Sequence, residues 1–125
     1  MNAFSLLLVA AAQAATPAAA APAWVNLGAV DGGQGISIDT ASVQVEGPAR
    51  SAWFRVANPR FQGSQRIAYR FRIDCTDRTV QSLAFRQYGP DGSVALEAEY
   101  GPAGQGPRAA EPGSLMEVAY HALCT

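Results

Sequence analysis

From Arg66 to Cys75 the chain alternates without a break. Ile67, Tyr69, Phe71, Ile73 and Cys75 fall on one parity, and Arg66, Ala68, Arg70, Arg72 and Asp74 fall on the other. Successive side chains of a strand point to opposite faces, so this period of two predicts a strand with one buried face and puts Cys75 on the inward side. Shorter extended runs flank it. Trp24–Gly28 and the alternation beginning at Ile36 and Ile38 are separated by the turn Asp31-Gly-Gly-Gln-Gly35. Thr40-Ala41-Ser42 turns the chain, Val43 and Val45 continue it, and Gly47-Pro48 breaks it before a strand from Ser51 to Ala57. There Trp53 and Phe54 are adjacent and must face opposite sides, so one of them needs a cover outside the core. Asn58 to Ser64 reads as a loop, and Asp74 to Arg78 as a tight turn. Thr79 to Tyr88 is rich in β-formers with imperfect alternation, which predicts a bulge. Gly89-Pro-Asp-Gly92 then turns into Val94, Leu96, Ala98 and Tyr100, a hairpin.

After a Gly- and Pro-rich loop over 101–113 the period changes. Ser114 stands three residues before Glu117, the spacing of a reciprocal helix cap, and Leu115, Met116, Val118, Ala119, Tyr120, Ala122 and Leu123 share one broad arc of a helical wheel. Glu117 and His121 lie opposite, and Cys124 borders the arc. About six strands joined by short turns leave no room for parallel crossovers. The expected fold is therefore α+β, an antiparallel sheet of about six strands packed against a C-terminal helix.

Met1 to Ala21 interrupts this picture. Phe4 and Leu6–Ala12 form a short apolar run, followed by small-residue cleavage options between residues 14 and 21. It reads as an export signal, too short to span a membrane, which leaves residues 22–125 as one domain in the periplasm or outside the cell. Export in turn explains the two cysteines. In an oxidising compartment Cys75 and Cys124 are expected to form a disulfide from strand to helix. No cysteine precedes Cys75, so no lipid anchor is expected.

The formal net charge is −1, and every cation is arginine. This disfavours nucleic acid as a partner. The charge is uneven, with seven arginines against two aspartates between Arg55 and Arg86 and one arginine against five acids after it. Arg66, Arg70 and Arg72, on the outward parity of the central strand, are the candidate ligand-binding residues; an ordinary solvated sheet face is the alternative. No catalytic constellation emerges. His121 is the single histidine and sits on the polar side of the helix, while Ser37 or Ser114 with Asp39 lacks any nucleophile-elbow motif. Cys75, Cys124 and His121 make at most three zinc ligands without a Cys-x-x-Cys pair, Glu97 and Glu99 read as solvated, and the Asp31–Gly35 turn matches no phosphate loop. Neither an enzyme nor a cofactor is expected.

The order of features is itself distinctive. Trp24-Val-Asn-Leu-Gly, Gly-Ile-Ser-Ile-Asp39-Thr-Ala-Ser42-Val, a Trp53 strand, Phe71-Arg-Ile-Asp-Cys75, Tyr88-Gly-Pro-Asp-Gly92 and a Pro112-Gly-Ser114 helix ending at Cys124 together resemble the surface-adhesin protein E family of Gram-negative envelope proteins. The resemblance implies a six-stranded antiparallel sheet on a C-terminal helix with a strand-to-helix disulfide. It also implies a homodimer that adheres to extracellular-matrix and serum proteins through a basic stretch, matched here in character by Arg66, Arg70 and Arg72. The expected function is an exported binding module whose partner is an extracellular or envelope protein with an acidic surface, or a polyanion. The alternative is an envelope-structural protein without adhesive activity.

Overall fold

A computed structural model describes residues 21–30, 33–57, 66–100 and 106–124. The export segment up to residue 20 and the loop read at Asn58–Ser64 lie outside the described residues. The elements are β1 (Trp24–Ala29), β2 (Gly35–Asp39), β3 (Gln44–Glu46), β4 (Ala49–Ala57), β5 (Arg66–Asp74), β6 (Thr79–Tyr88), β7 (Val94–Glu99), β8 (Arg108–Ala109) and α1 (Leu115–Cys124). All pair antiparallel in the order β1-β2-β4-β5-β6-β7, with β3 also on β4 and β8 also on β6. The six-strand path is the expected sheet. The two extra strands are short continuations of its sides.

The splice between β2 and β3 explains the Asp39-Thr-Ala-Ser42 run. Strand β2 pairs with Phe54–Ala57 and β3 with Ala49–Ser51, so a stretch of β4 between them lacks a ladder partner on that side. A 3₁₀ turn at Thr40–Ser42 crosses the gap. There the Ser42 hydroxyl accepts from Trp53 N at 2.9 Å and donates to the Asp39 carbonyl at 2.7 Å. Asp39 is buried, and its carboxylate accepts from Ala41 N and Ala23 N at 3.0 and 2.8 Å. Backbone groups left unpaired inside a fold cost free energy, and these two side chains supply the partners. Gly47, at φ 58°, then takes the first position of the two-residue loop that closes β3 on β4.

One face of the sheet holds the core. Ile36, Ile38, Ala52, Phe54, Phe71, Ile73 and Val80 meet Ala119 of α1, with Leu115, Met116, Val118, Tyr120 and Leu123 packed around them. Phe54 and Phe71 touch with ring centroids 5.7 Å apart. Fully burying side chains of this size stabilises by about 1.5–3 kcal/mol each, which makes this row the main source of cohesion. The wheel erred at one position, since Ala122 is exposed. Ile67 departs as well. It lies in the row of Val56, Gln87 and Leu96, outside the cluster that α1 covers, and remains 37% exposed.

The helix is fastened at its C-terminal end. Cys75 and Cys124 are joined, with Cα atoms 5.5 Å apart and a sequence separation of 49. Tyr120 donates its hydroxyl to the Cys75 carbonyl at 3.4 Å and carries the Arg78 guanidinium over its ring. At the other end the expected cap forms. Ser114 Oγ accepts from Glu117 N, and Glu117 Oε1 accepts from Gly113 N.

Candidate functional site

The face opposite α1 carries the arginines, and cross-strand register sets out its rows. Ser37, Arg55, Ala68, Arg86 and Glu97 are successive partners across β2, β4, β5, β6 and β7. Trp53, Arg70, Ala84 and Glu99 form the next row, and Ala57, Arg66, Tyr88 and Val94 flank it on the other side. The outward parity read for Arg66, Arg70 and Arg72 is therefore correct. Ala68, on the same parity, is nevertheless fully buried. Arg55 and Arg86 stand directly across from it on either side, and the aliphatic stems of long cationic side chains cover apolar surface.

The heads of Arg55 and Arg86 lie on the tryptophans. The Arg55 guanidinium is 4.3 Å from the centre of the Trp24 ring, and that of Arg86 is 4.0 Å from the centre of Trp53. Phe54 points into the core, so the cover that its neighbour Trp53 needs comes from an arginine. Strand β7 adds acids to the same face. Arg86 Nε donates to Glu97 Oε2 at 3.2 Å, and Arg70 Nη2 lies 3.9 Å from Glu99 Oε1. Glu97 and Glu99, read from the sequence as merely solvated, thus neutralise part of the cationic face.

A bulge in β6 completes the arrangement. Arg70 pairs with Ala84 but Phe71 pairs with Ser82, so Leu83 is the extra residue. It lines a hollow of about 150 Å³ together with Arg70, Arg72, Ser51, Gln44 and Glu46. The Arg70 Nε is buried there without a hydrogen-bond partner. Arg66 lies elsewhere. Six residues along an extended strand separate it from Arg72, about 20 Å at the usual rise. It lines a second hollow of about 380 Å³ with Trp24, Arg55, Tyr88, Pro90 and Asp91. The structure therefore divides the three candidate arginines, two at one end of the face and one at the other. Arg55 and Trp24 belong to the second hollow but were missed in the sequence, because they sit on strands distant in the chain and share no motif with Arg66.

The electrostatics of the second hollow are unbalanced. Burial, and after it the neighbouring Arg66 charge, pull the Arg55 guanidinium below its ordinary proton affinity. Asp91 is the acid on the rim. Its carboxyl is held below the usual carboxylate range, chiefly by the Ser93 hydroxyl at 2.7 Å and then by Ser93 N at 3.1 Å.

The remaining candidates are spent on structure. Ser114 and Glu117 cap α1, Asp39 holds the β2–β3 splice, and both cysteine sulfurs are in the disulfide. Exposed on α1, His121 makes an edge contact with the Tyr120 ring. Among the described residues no helix is long and apolar enough to cross a membrane.

Comparison with known proteins agrees with the family that the order of motifs resembles. The family model described as surface-adhesin protein E matches residues 24–125. Neither the search of curated proteins nor that of solved structures finds a match. With the match running from the start of β1 through the end of α1, the chain belongs to the surface-adhesin protein E family.

Proposed function

We propose that the chain is an exported, non-enzymatic binding module whose arginine face, including Arg66, Arg70 and Arg72, meets an acidic surface on a partner protein. Membership of a surface-adhesin family makes it an adhesin-like surface or exported protein. One observation carries the finer reading. Arg66 and Arg72 are exposed on the face that α1 does not occupy, and neither has an ion-pair partner among the described residues.

The pattern of charge favours a protein over a long polyanion. Glu97 and Glu99, on the edge strand β7, interrupt the cations in the two rows between Arg66 and Arg72, and the whole chain is slightly acidic, with a pI near 5.7. A uniformly anionic polymer meets repulsion at that interruption, whereas a protein surface offers separate carboxylates to the two ends. Binding to an immobilised Glu-Gly-Ser-Gly repeat peptide, whose carboxylates are spaced apart, and to heparin tests this. Binding to the repeat peptide is expected to weaken with salt and to be lost when Arg66, Arg70 and Arg72 are all changed to Gln. Heparin binding that is the stronger of the two overturns the protein reading. Protease accessibility on intact cells tests the location, and full protection favours the envelope-structural alternative.

A further inference from the structure

The hollow at the Tyr88 end of the arginine face has features that the acidic-partner reading alone does not use. Arg55 and Arg66 occupy diagonal positions on neighbouring strands, since Arg55 faces Ala68 and Arg66 faces Ala57. Diagonal neighbours lie about 7–8 Å apart, close enough for two like charges to repel. Among the described residues no carboxylate pairs with either. Asp91 turns the oxygen that makes its hydrogen bonds toward Ser93 and so closes its own turn instead. Trp24 fixes the Arg55 guanidinium by stacking, and Tyr88 stands directly across from Arg66. The Arg55 fork is thus fixed on one aromatic ring, with Arg66 diagonal to it beside Tyr88 and neither charge paired with a carboxylate among the described residues.

We propose that this hollow, formed by Trp24, Arg55, Arg66 and Tyr88, binds a single carboxylate presented by an acidic side chain of the partner protein. The assignment rests on the acidic-partner reading and narrows it to one end of the face. Guanidinium groups hold carboxylates by paired hydrogen bonds, and charge-assisted bonds of this kind are the strong ones. The local balance favours a monoanion. Two arginines against the ionised Asp91 on the rim leave a net +1 for the ligand to neutralise. A doubly charged phosphate overcompensates that charge and meets Asp91 as well.

The chain has two tryptophans, which gives the test an internal reference. Trp24 lines the hollow, and Trp53 lies under Arg86, which is already paired with Glu97. The probes are the blocked tripeptide acetyl-Gly-Glu-Gly-amide, with one carboxylate, and inorganic phosphate, each titrated into the purified chain while the two indole N–H signals are followed by NMR. The tripeptide is expected to shift Trp24 saturably and leave Trp53 in place. Arg66→Gln, which keeps the Arg55–Trp24 stack, weakens binding about tenfold or more, and Arg108→Gln on β8, which lines neither hollow of the arginine face, leaves it unchanged. A motionless Trp24, equal movement of both indoles, or phosphate binding tighter than the tripeptide overturns the assignment. Binding to the Glu-Gly-Ser-Gly repeat peptide that survives Arg66→Gln with Trp24 unmoved sinks this site and spares the broader reading. A tripeptide-filled hollow in a chain that ignores the repeat peptide does the reverse.

Discussion

Trp53 and Phe54 show how far a single residue is decided by its own position. Their adjacency requires opposite faces, and Phe54 is fully buried while Trp53 is half-buried under Arg86. Which of the two would be covered, and by what, depended on a guanidinium from β6, more than thirty positions along the chain. Asp91 is the opposite case, because its partners are local. With Gly92 at φ 84° closing the turn, the Ser93 hydroxyl and N–H both donate to one carboxylate oxygen. A carboxyl whose folded pKa lies below its unfolded value stabilises the fold above the unfolded value, near 3.9, and loses that contribution as pH falls through the lowered folded value. Ser93→Ala is expected to return the Asp91 pKa toward its ordinary value and to reduce the acid sensitivity of the β6–β7 hairpin. A carbon-detected NMR titration of the Asp91 carboxyl checks both, and an unchanged pKa in the variant refutes the assignment to Ser93.

The elements were legible wherever their determinants are close in sequence. The β5 parity, the Gly89–Gly92 turn, the cap at Ser114 and the irregularity of β6 all follow from neighbouring residues, and each is found. Strand β8 was not legible. Two residues carry no period, and Arg108–Ala109 are extended only because Thr79 and Val80 offer them an edge. The hydroxyls of Ser42 and Ser114 likewise differ in what they hold. Ser114 satisfies a helix end at the surface, and Ser42 satisfies a strand N–H in the partly buried gap between β2 and β3. Ser114→Ala is expected to cost about 1 kcal/mol, and Ser42→Ala about 1–2 kcal/mol, because its loss leaves Trp53 N without an acceptor. Urea unfolding midpoints of the two variants measure the difference. An undisturbed midpoint for Ser42→Ala would show that the splice closes without its hydroxyl.

Across the whole molecule, the disulfide and the division of the arginine face are the consequences that reach furthest. A cross-link closing about fifty residues stabilises by ~4 kcal/mol in the chain-entropy account, comparable with the net stability of a small domain. Reduction, or replacement of Cys75 and Cys124 by Ser, is therefore expected to lower the unfolding midpoint sharply. Equal midpoints for oxidised and reduced chains would mean that the core under α1 suffices alone. The cysteine partnership could be read in the sequence because two cysteines admit one intramolecular pairing, and the helix and strand periods point both inward. The grouping of the arginines could not. Parity within β5 assigns Arg66, Arg70 and Arg72 to one face but says nothing of the offset between strands. The register of β4 on β5 places Arg55 diagonally from Arg66, and the bulge at Leu83 sets what stands beside Arg70. Sequence alone determined the periods, turns, cap and cross-link, since those depend on spacing along one chain. Tertiary structure decided which charges were cancelled by Glu97 and Glu99 and which were left unpaired, because that balance forms only when strands distant in sequence come into register.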